Sequence, residues 1–94
     1  MGAVGVVRVS GPHAYEVADA VFRPARGPAA GLRPAGRIVY GQVWAGGDPV
    51  DEALLLTFRA PRSYTGQDVV ELQTHGGPAV LRATLDACLR AGAR

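Results

Sequence analysis

The sequence predicts an α+β domain, a mixed and largely antiparallel sheet covered by two helices in the order β-α-β-β-β-α. Three observations lead there. Branched and apolar residues gather in four short runs, two other stretches carry them at helical spacing, and Gly- and Pro-rich segments separate the runs. Such an order, without an internal repeat, fits helices laid on one side of an antiparallel or mixed sheet.

Val4, Val6, Val7 and Val9 lie between Gly2 and Ser10-Gly11-Pro12 and predict a strand over 4–10, buried on both faces, with Arg8 embedded in it. Ser10 or Gly11 is placed to cap a helix that has Pro12 near its first turn and runs through residue 22 on Tyr15, Ala18, Val21 and Phe22. From Arg23 to Gly36, three prolines and three glycines without sustained periodicity predict a loop. Ile38, Tyr40, Val43 and Trp44 form a second strand, and Ala45-Gly46-Gly47-Asp48-Pro49 supplies a turn. The third strand, 51–59, holds Leu54-Leu55-Leu56 and Phe58 and pairs antiparallel with the second through that short connection. A polar loop over 60–67 leads to a fourth strand, 68–74, in which Val69, Val70 and Leu72 surround Glu71. The second helix spans 78–91 on Val80, Leu81, Thr84, Leu85, Cys88 and Leu89, with Gly92 as its stop.

At 94 residues the chain is long enough for one core, and a chain of this size buries about 60 to 65% of the surface its unfolded form exposes. With 48% hydrophobic and 19% charged residues it is too apolar for a disordered chain. All ten basic residues are Arg, and with the abundance of Ala, Gly and Pro this points first to genome base composition. Arg23, Arg26, Arg33 and Arg37 nonetheless lie together with no acid between them, four positive charges in a chain whose net charge is +2. That cluster is either a solvated loop or a contact for phosphate or a carboxylate ligand. A lone Cys88 excludes an internal disulfide, and Leu85 and Leu89 beside it on the helix predict a semi-buried thiol rather than a nucleophile. No apolar run approaches the ~18 residues that cross a bilayer, and the start lacks the basic and apolar regions of a signal peptide. Together these predict a cytoplasmic protein with no membrane partner.

Arg8 and Glu71 carry most of the chemical interest. Each is a full charge within an apolar strand, and a buried charge must be paired or must neutralise. Either they pair and hold two strands in register, or they face a ligand, the carboxylate accepting two parallel hydrogen bonds from an aminopyrimidinone edge such as that of a pterin. His75-Gly76-Gly77-Pro78 sits where strand becomes helix, so free backbone N–H groups there favour an anion or a ligand oxygen, although a tight turn alone also needs glycine. The sequence has no phosphate-binding loop, no Cys/His metal spacing and no second His near a nucleophile, so it predicts no catalytic residue and no metal site.

The run Gly5-Val6-Val7-Arg8-Val9-Ser10-Gly11-Pro12, followed by the block from Ala60-Pro61-Arg62-Ser63-Tyr64-Thr65-Gly66-Gln67 through Asp68-Val69-Val70-Glu71-Leu72-Gln73-Thr74-His75-Gly76-Gly77, resembles the N-terminal domain of the MnmE (TrmE) tRNA modification GTPases. Asp51-Glu52 agrees with it, and the resemblance covers residues 1–94 as a single domain. It implies a homodimer-forming module that binds a 5-formyl-tetrahydrofolate-type one-carbon donor, in a fold like the folate-binding domain of the aminomethyltransferase type. Arg8 and Glu71 match the folate contacts, with Ser63, Tyr64, Thr65, His75, Gly76 and Gly77 as supporting loops. In the family the whole protein acts with MnmG on the wobble uridine of tRNA, and GTP, magnesium and potassium belong to a GTPase domain absent from this chain. The resemblance further implies a fragment truncated at both ends, because the family has a strand and a Gly-rich turn before the first block and continues past the last helix. Gln67 stands where Glu is usual, which removes one loop charge. Two other readings stay open: a purely structural dimerisation domain with Arg8 and Glu71 paired internally, and a folate-dependent aminomethyltransferase-like domain, which the Ser63-Tyr64-Thr65-Gly66 loop fits less well.

Overall fold

The computed structural model of the chain describes residues 5–61 and 65–93. β1 (Gly5–Ser10) leads to α1 (Ala14–Val21), β2 (Phe22–Pro24), a 3-10 turn at Ala30–Leu32, β3 (Ile38–Ala45), β4 (Asp48–Phe58), β5 (Val69–Thr74) and α2 (Pro78–Arg90). The five strands form one sheet in the order β1-β5-β4-β3-β2, and every neighbouring pair is antiparallel. The predicted α+β class is therefore the observed one, with an additional strand. Strands far apart in sequence, β1 and β5, become neighbours.

Both helices pack on one face. Val7 and Val9 of β1, Leu55 of β4 and Val70 and Leu72 of β5 are buried there with Val17 and Ala18 of α1 and Ala87 and Cys88 of α2. The other face, the open face of the sheet, carries Val6, Arg8, Ile38 and Tyr40 in contact with solvent, although Val69 and Glu71 of β5 on the same side are buried. β1 is thus not buried on both faces: Val6 is 46% exposed, because an outer strand with helices on one side only must alternate.

The Arg23–Gly36 segment is not wholly a loop. The chain leaves α1 in extended conformation at Phe22 and pairs at once with β3, Phe22 opposite Val43 and Pro24 opposite Gly41. Pro24 lacks a donor and is tolerated on an outer strand. Gly41 is required by the close approach: a Cβ there would stand 2.9 Å from Pro24 Cα and nearer still to the Phe22 ring and the Arg23 carbonyl oxygen. Three residues are too few for a strand period to show in sequence. At the other end of α1, His13 rather than Ser10 or Gly11 is the N-cap, without a side-chain cap bond, and Pro12 lies in the preceding turn.

β4 begins at Asp48, earlier than predicted, because Gly46 and Gly47, with φ of +60° and +87°, close a two-residue turn that pairs Ala45 with Asp48. A bulge follows, the register shifting between Val43 and Trp44. α2 starts with Gly77 as N-cap and Pro78 in its first turn. It stops as predicted at Gly92, φ +111°, whose N–H donates to Leu89 O at 3.2 Å while that of Ala93 donates to Cys88 O at 3.0 Å.

Candidate functional site

Arg8 and Glu71 are cross-strand partners in the β1–β5 register, which places both side chains on the open face. Arg8 Nη2 donates to Glu71 Oε1 at 3.1 Å. The pair is asymmetric: the Glu71 side chain is 7% exposed and that of Arg8 is 49% exposed. Glu71 is enclosed because β5 has a strand on each side, with Leu56 of β4 opposite it and buried Val69 two residues before it on the same face. Arg8 lies on the outer strand and keeps access to solvent. A nearly buried carboxylate beside Leu56 and Val69 can accept paired N–H donors from a flat amino-heterocycle, while a half-exposed guanidinium, with five donors, meets a carbonyl or carboxylate.

The remaining predicted residues divide between the two ends of β5. Thr65 lies at the Arg8 end: its hydroxyl and that of Ser10, two residues beyond Arg8, share a hydrogen bond at 2.8 Å. Asp68 fastens the same corner, its carbonyl accepting from Gly11 N–H and its Oδ1 from Ala60 N–H, each at 2.9 Å. Ser63 and Tyr64 lie outside the described residues. His75, Gly76 and Gly77 fall at the opposite end, four to six residues from Glu71, so His75 is about 13 Å away along the strand. Their expected role as a ligand-oxygen site is corrected in part: Asp51 Oδ2 already accepts from the N–H groups of His75 at 3.1 Å and Gly76 at 3.0 Å. The anion that the turn favours is supplied from β4 of the same chain.

Sequence reasoning missed the structural parts of Asp51, Ser10 and Asp68. Asp51 and Asp68 each carried a signal, an acid just before an apolar run, but not one that names a partner. At the β2–β3 margin, the guanidinium of Arg23 lies 3.8 Å from the centre of the Trp44 ring, and hydrogen bonding to the Glu52 carboxylate raises the pKa of the exposed Tyr40 hydroxyl above its ordinary value. Cys88 is fully buried rather than semi-buried, and burial pushes its thiol up to about 11, which suits packing and not nucleophilic attack. Among the described residues no three His, Cys, Asp or Glu side chains converge as metal ligands, and no helix is long and apolar enough to cross a membrane.

An antiparallel sheet backed by two helices, with a buried acid and an Arg paired across its other face, defines a small α+β domain. Residues 1–94 match the family described as GTP-binding protein TrmE N-terminus, and the chain belongs to that family. It is 52% identical over 94 residues to the tRNA modification GTPase MnmE of Symbiobacterium thermophilum, covering 99% of this chain and 21% of that protein. The MnmE of Thermus thermophilus is 50% identical over 95 residues, with 99% and 21% covered, and that of Nitratidesulfovibrio vulgaris is 44% identical over 93 residues, with 99% and 20% covered. The chain thus spans about a fifth of the length of these relatives.

Proposed function

We propose that this chain is the folate-binding and self-associating module of a tRNA modification GTPase, with Arg8 and Glu71 as its ligand contacts. The observation that carries the reading is Glu71, a carboxylate nearly withdrawn from water between Leu56 and Val69, bonded to a guanidinium still half in solvent. These residues fit a 5-formyl-tetrahydrofolate-type donor: Glu71 accepts from the amino group and ring N–H of the pterin, and Arg8 turns to an oxygen of the ligand. The bound folate would supply a one-carbon unit; the chain's own residues bind and orient it. The corner where Thr65 meets Ser10, two residues from Arg8, would line the approach, whereas His75, Gly76 and Gly77 would support α2 from the far end. Self-association would use the outer edge of β1 or the apolar centre of the open face. In this reading MnmG, tRNA, GTP, magnesium and potassium engage the assembled protein in the cytoplasm, the nucleotide and ions through the part of the relatives that this chain does not span.

Calorimetric titration with 5-formyl-tetrahydrofolate tests the reading. Binding should occur, and Glu71→Ala should weaken it by roughly 1 to 3 kcal/mol, the cost of losing hydrogen bonds to a charged acceptor. Unchanged affinity in that variant would remove Glu71 from the site. The 3.1 Å contact between the two charges favours one alternative, a domain in which the pair serves only to hold β1 against β5. Light scattering that finds a dimer, combined with no heat from folate, would select that alternative.

A further inference from the structure

The start of β3 has an outer edge that β2 leaves uncovered. In an antiparallel ladder each residue directs both of its backbone groups to one side, and alternate residues share that side. On β3, Tyr40 and Gln42 direct theirs toward β2: Ala25 N–H donates to Tyr40 O at 3.0 Å, and Arg23 is the register partner of Gln42. Ile38 has the same parity, but β2 ends at Pro24 and the chain bends away after Ala25. Among the described residues, no hydrogen bond from the 25–37 segment reaches the outward N–H and C=O of Ile38.

The same place is apolar and cationic at once. Leu32 and Ile38 are 78% and 66% exposed, more than any other large apolar side chain among the described residues. With Pro28, Pro34, Arg33 and Arg37 they line one shallow cleft of about 440 Å³. No acid lines it, and between Asp19 and Asp48 the sequence has four Arg and no Asp or Glu. Arg33 is held in place, its Nε donating to Pro28 O at 2.7 Å and its Nη2 to Arg26 O, both of them carbonyls that leave its charge uncancelled. The loop is tied down at Gly31, whose N–H donates to Asp19 Oδ1 at 3.3 Å and whose carbonyl accepts from Arg59 Nη2 at 3.1 Å. A wall fixed in this way lowers the ordering cost of binding.

We propose that this edge docks an acidic, extended peptide segment of a partner protein. One residue of the segment pairs with Ile38 as an added strand, a bulky aliphatic side chain fills the cleft between Leu32 and Ile38, and carboxylates on either side of it meet Arg33 and Arg37. Backbone pairing and the apolar cleft supply the affinity, and the cations select acid over base. The other occupants fit less of the surface. A phosphate polymer answers the cations but offers nothing to two exposed aliphatic side chains. An anionic lipid surface offers no spaced N–H and C=O pair to Ile38. A second copy joined edge to edge about a two-fold axis brings Arg33 and Arg37 against the same cations of its partner, a like-charge contact. The surface stands on its own residues and does not depend on the folate reading.

The probe is a capped synthetic peptide of about eight residues, a strand's length, with a central leucine flanked by aspartates. Calorimetry with the whole chain should show saturable binding that weakens as salt rises, and in nitrogen-15 correlation spectra the Ile38 amide should shift and exchange more slowly with solvent. Alanine in place of the leucine should weaken binding about 5- to 20-fold. Of two peptides N-methylated at alternate positions, one should bind and the other not, because only one set of amides faces β3. Arg37→Gln, at an exposed side chain, should weaken binding about 2- to 5-fold without moving the thermal midpoint, and Arg33→Gln should do so by a similar factor. Arg90→Gln, the same loss of charge on α2, should leave it unchanged. No binding at about 1 mM peptide, a lysine-for-aspartate peptide bound as tightly, equal loss in Arg90→Gln, or amide shifts lying outside residues 25–40 would each overturn the proposal. So would displacement of the peptide by an oligonucleotide or by phosphatidylserine vesicles that shift the same amides, or light scattering that finds the chain alone to be a dimer with its Ile38 amide protected.

Discussion

Arg8 and Glu71 should respond unequally to mutation, although they form one ion pair. Their contact is 3.1 Å, but the acid is 7% exposed and the base 49% exposed, so the cost of leaving water falls mainly on the carboxylate. Arg8→Ala strands Glu71 beside Leu56 and Val69 without its cation. A fully buried unpaired charge costs about 3 to 5 kcal/mol, and breaking a surface pair less than about 1. Truncating Arg8 also admits water to the carboxylate, so a loss of about 2 kcal/mol is expected, between those limits. Glu71→Leu instead deletes the buried charge and leaves a guanidinium that is already half hydrated, so stability should change by less than about 1 kcal/mol in either direction. In a domain of this length a loss of about 2 kcal/mol lowers Tm by roughly 8 to 16 °C. Urea and thermal unfolding followed by far-ultraviolet circular dichroism measure both variants, and the double variant should recover most of what Arg8→Ala loses. Equal losses in the two single variants, or a larger one in Glu71→Leu, would refute the claim that desolvation sits on the acid.

Asp51→Ala should cost about 1 to 2 kcal/mol by releasing the His75 and Gly76 N–H groups, and Asp51→Asn should recover part of it; hydrogen exchange at those two amides is the direct readout, and unchanged protection would contradict the assignment. Cys88 should resist alkylation in the native chain near neutral pH and react once the chain is unfolded. Its folded thiol is held at about 11 against an ordinary value of 9.0, so its contribution to stability is present below pH 9.0 and is lost as pH rises toward 11. Denaturation midpoints across that window check the sign, and a Cys88→Ala variant should show a smaller decline.

Much of the fold was legible because its signals are local. Gly46-Gly47 and Gly92 stand where a positive φ favours glycine, Pro78 opens α2, and each marked an element boundary in the sequence. β2 was not legible, since its three residues are strand only because β3 lies alongside and Gly41 lets the Phe22 ring approach. Pro12 looked like part of a helical first turn, but the chain bends at Gly11 before α1 begins at Ala14. In the candidate site, Arg8 and Glu71 stood out in sequence because a charge among valines is conspicuous. The roles of Asp51, Ser10 and Asp68 could not be seen, for polar residues near turns are ordinary until their partners are known.

The residues alone determined that two charges sit inside apolar strands, that the class is α+β, and that a polar loop precedes the strand of Glu71. Tertiary structure decided the rest: that β1 lies beside β5, that Arg8 and Glu71 meet at the same register position, and that one is buried and the other half exposed. The reason is physical. Periodicity and turn chemistry act over a few residues, whereas the pairing of strands 63 residues apart, and the number of neighbours that shield each charge from water, depend on how the whole sheet assembles.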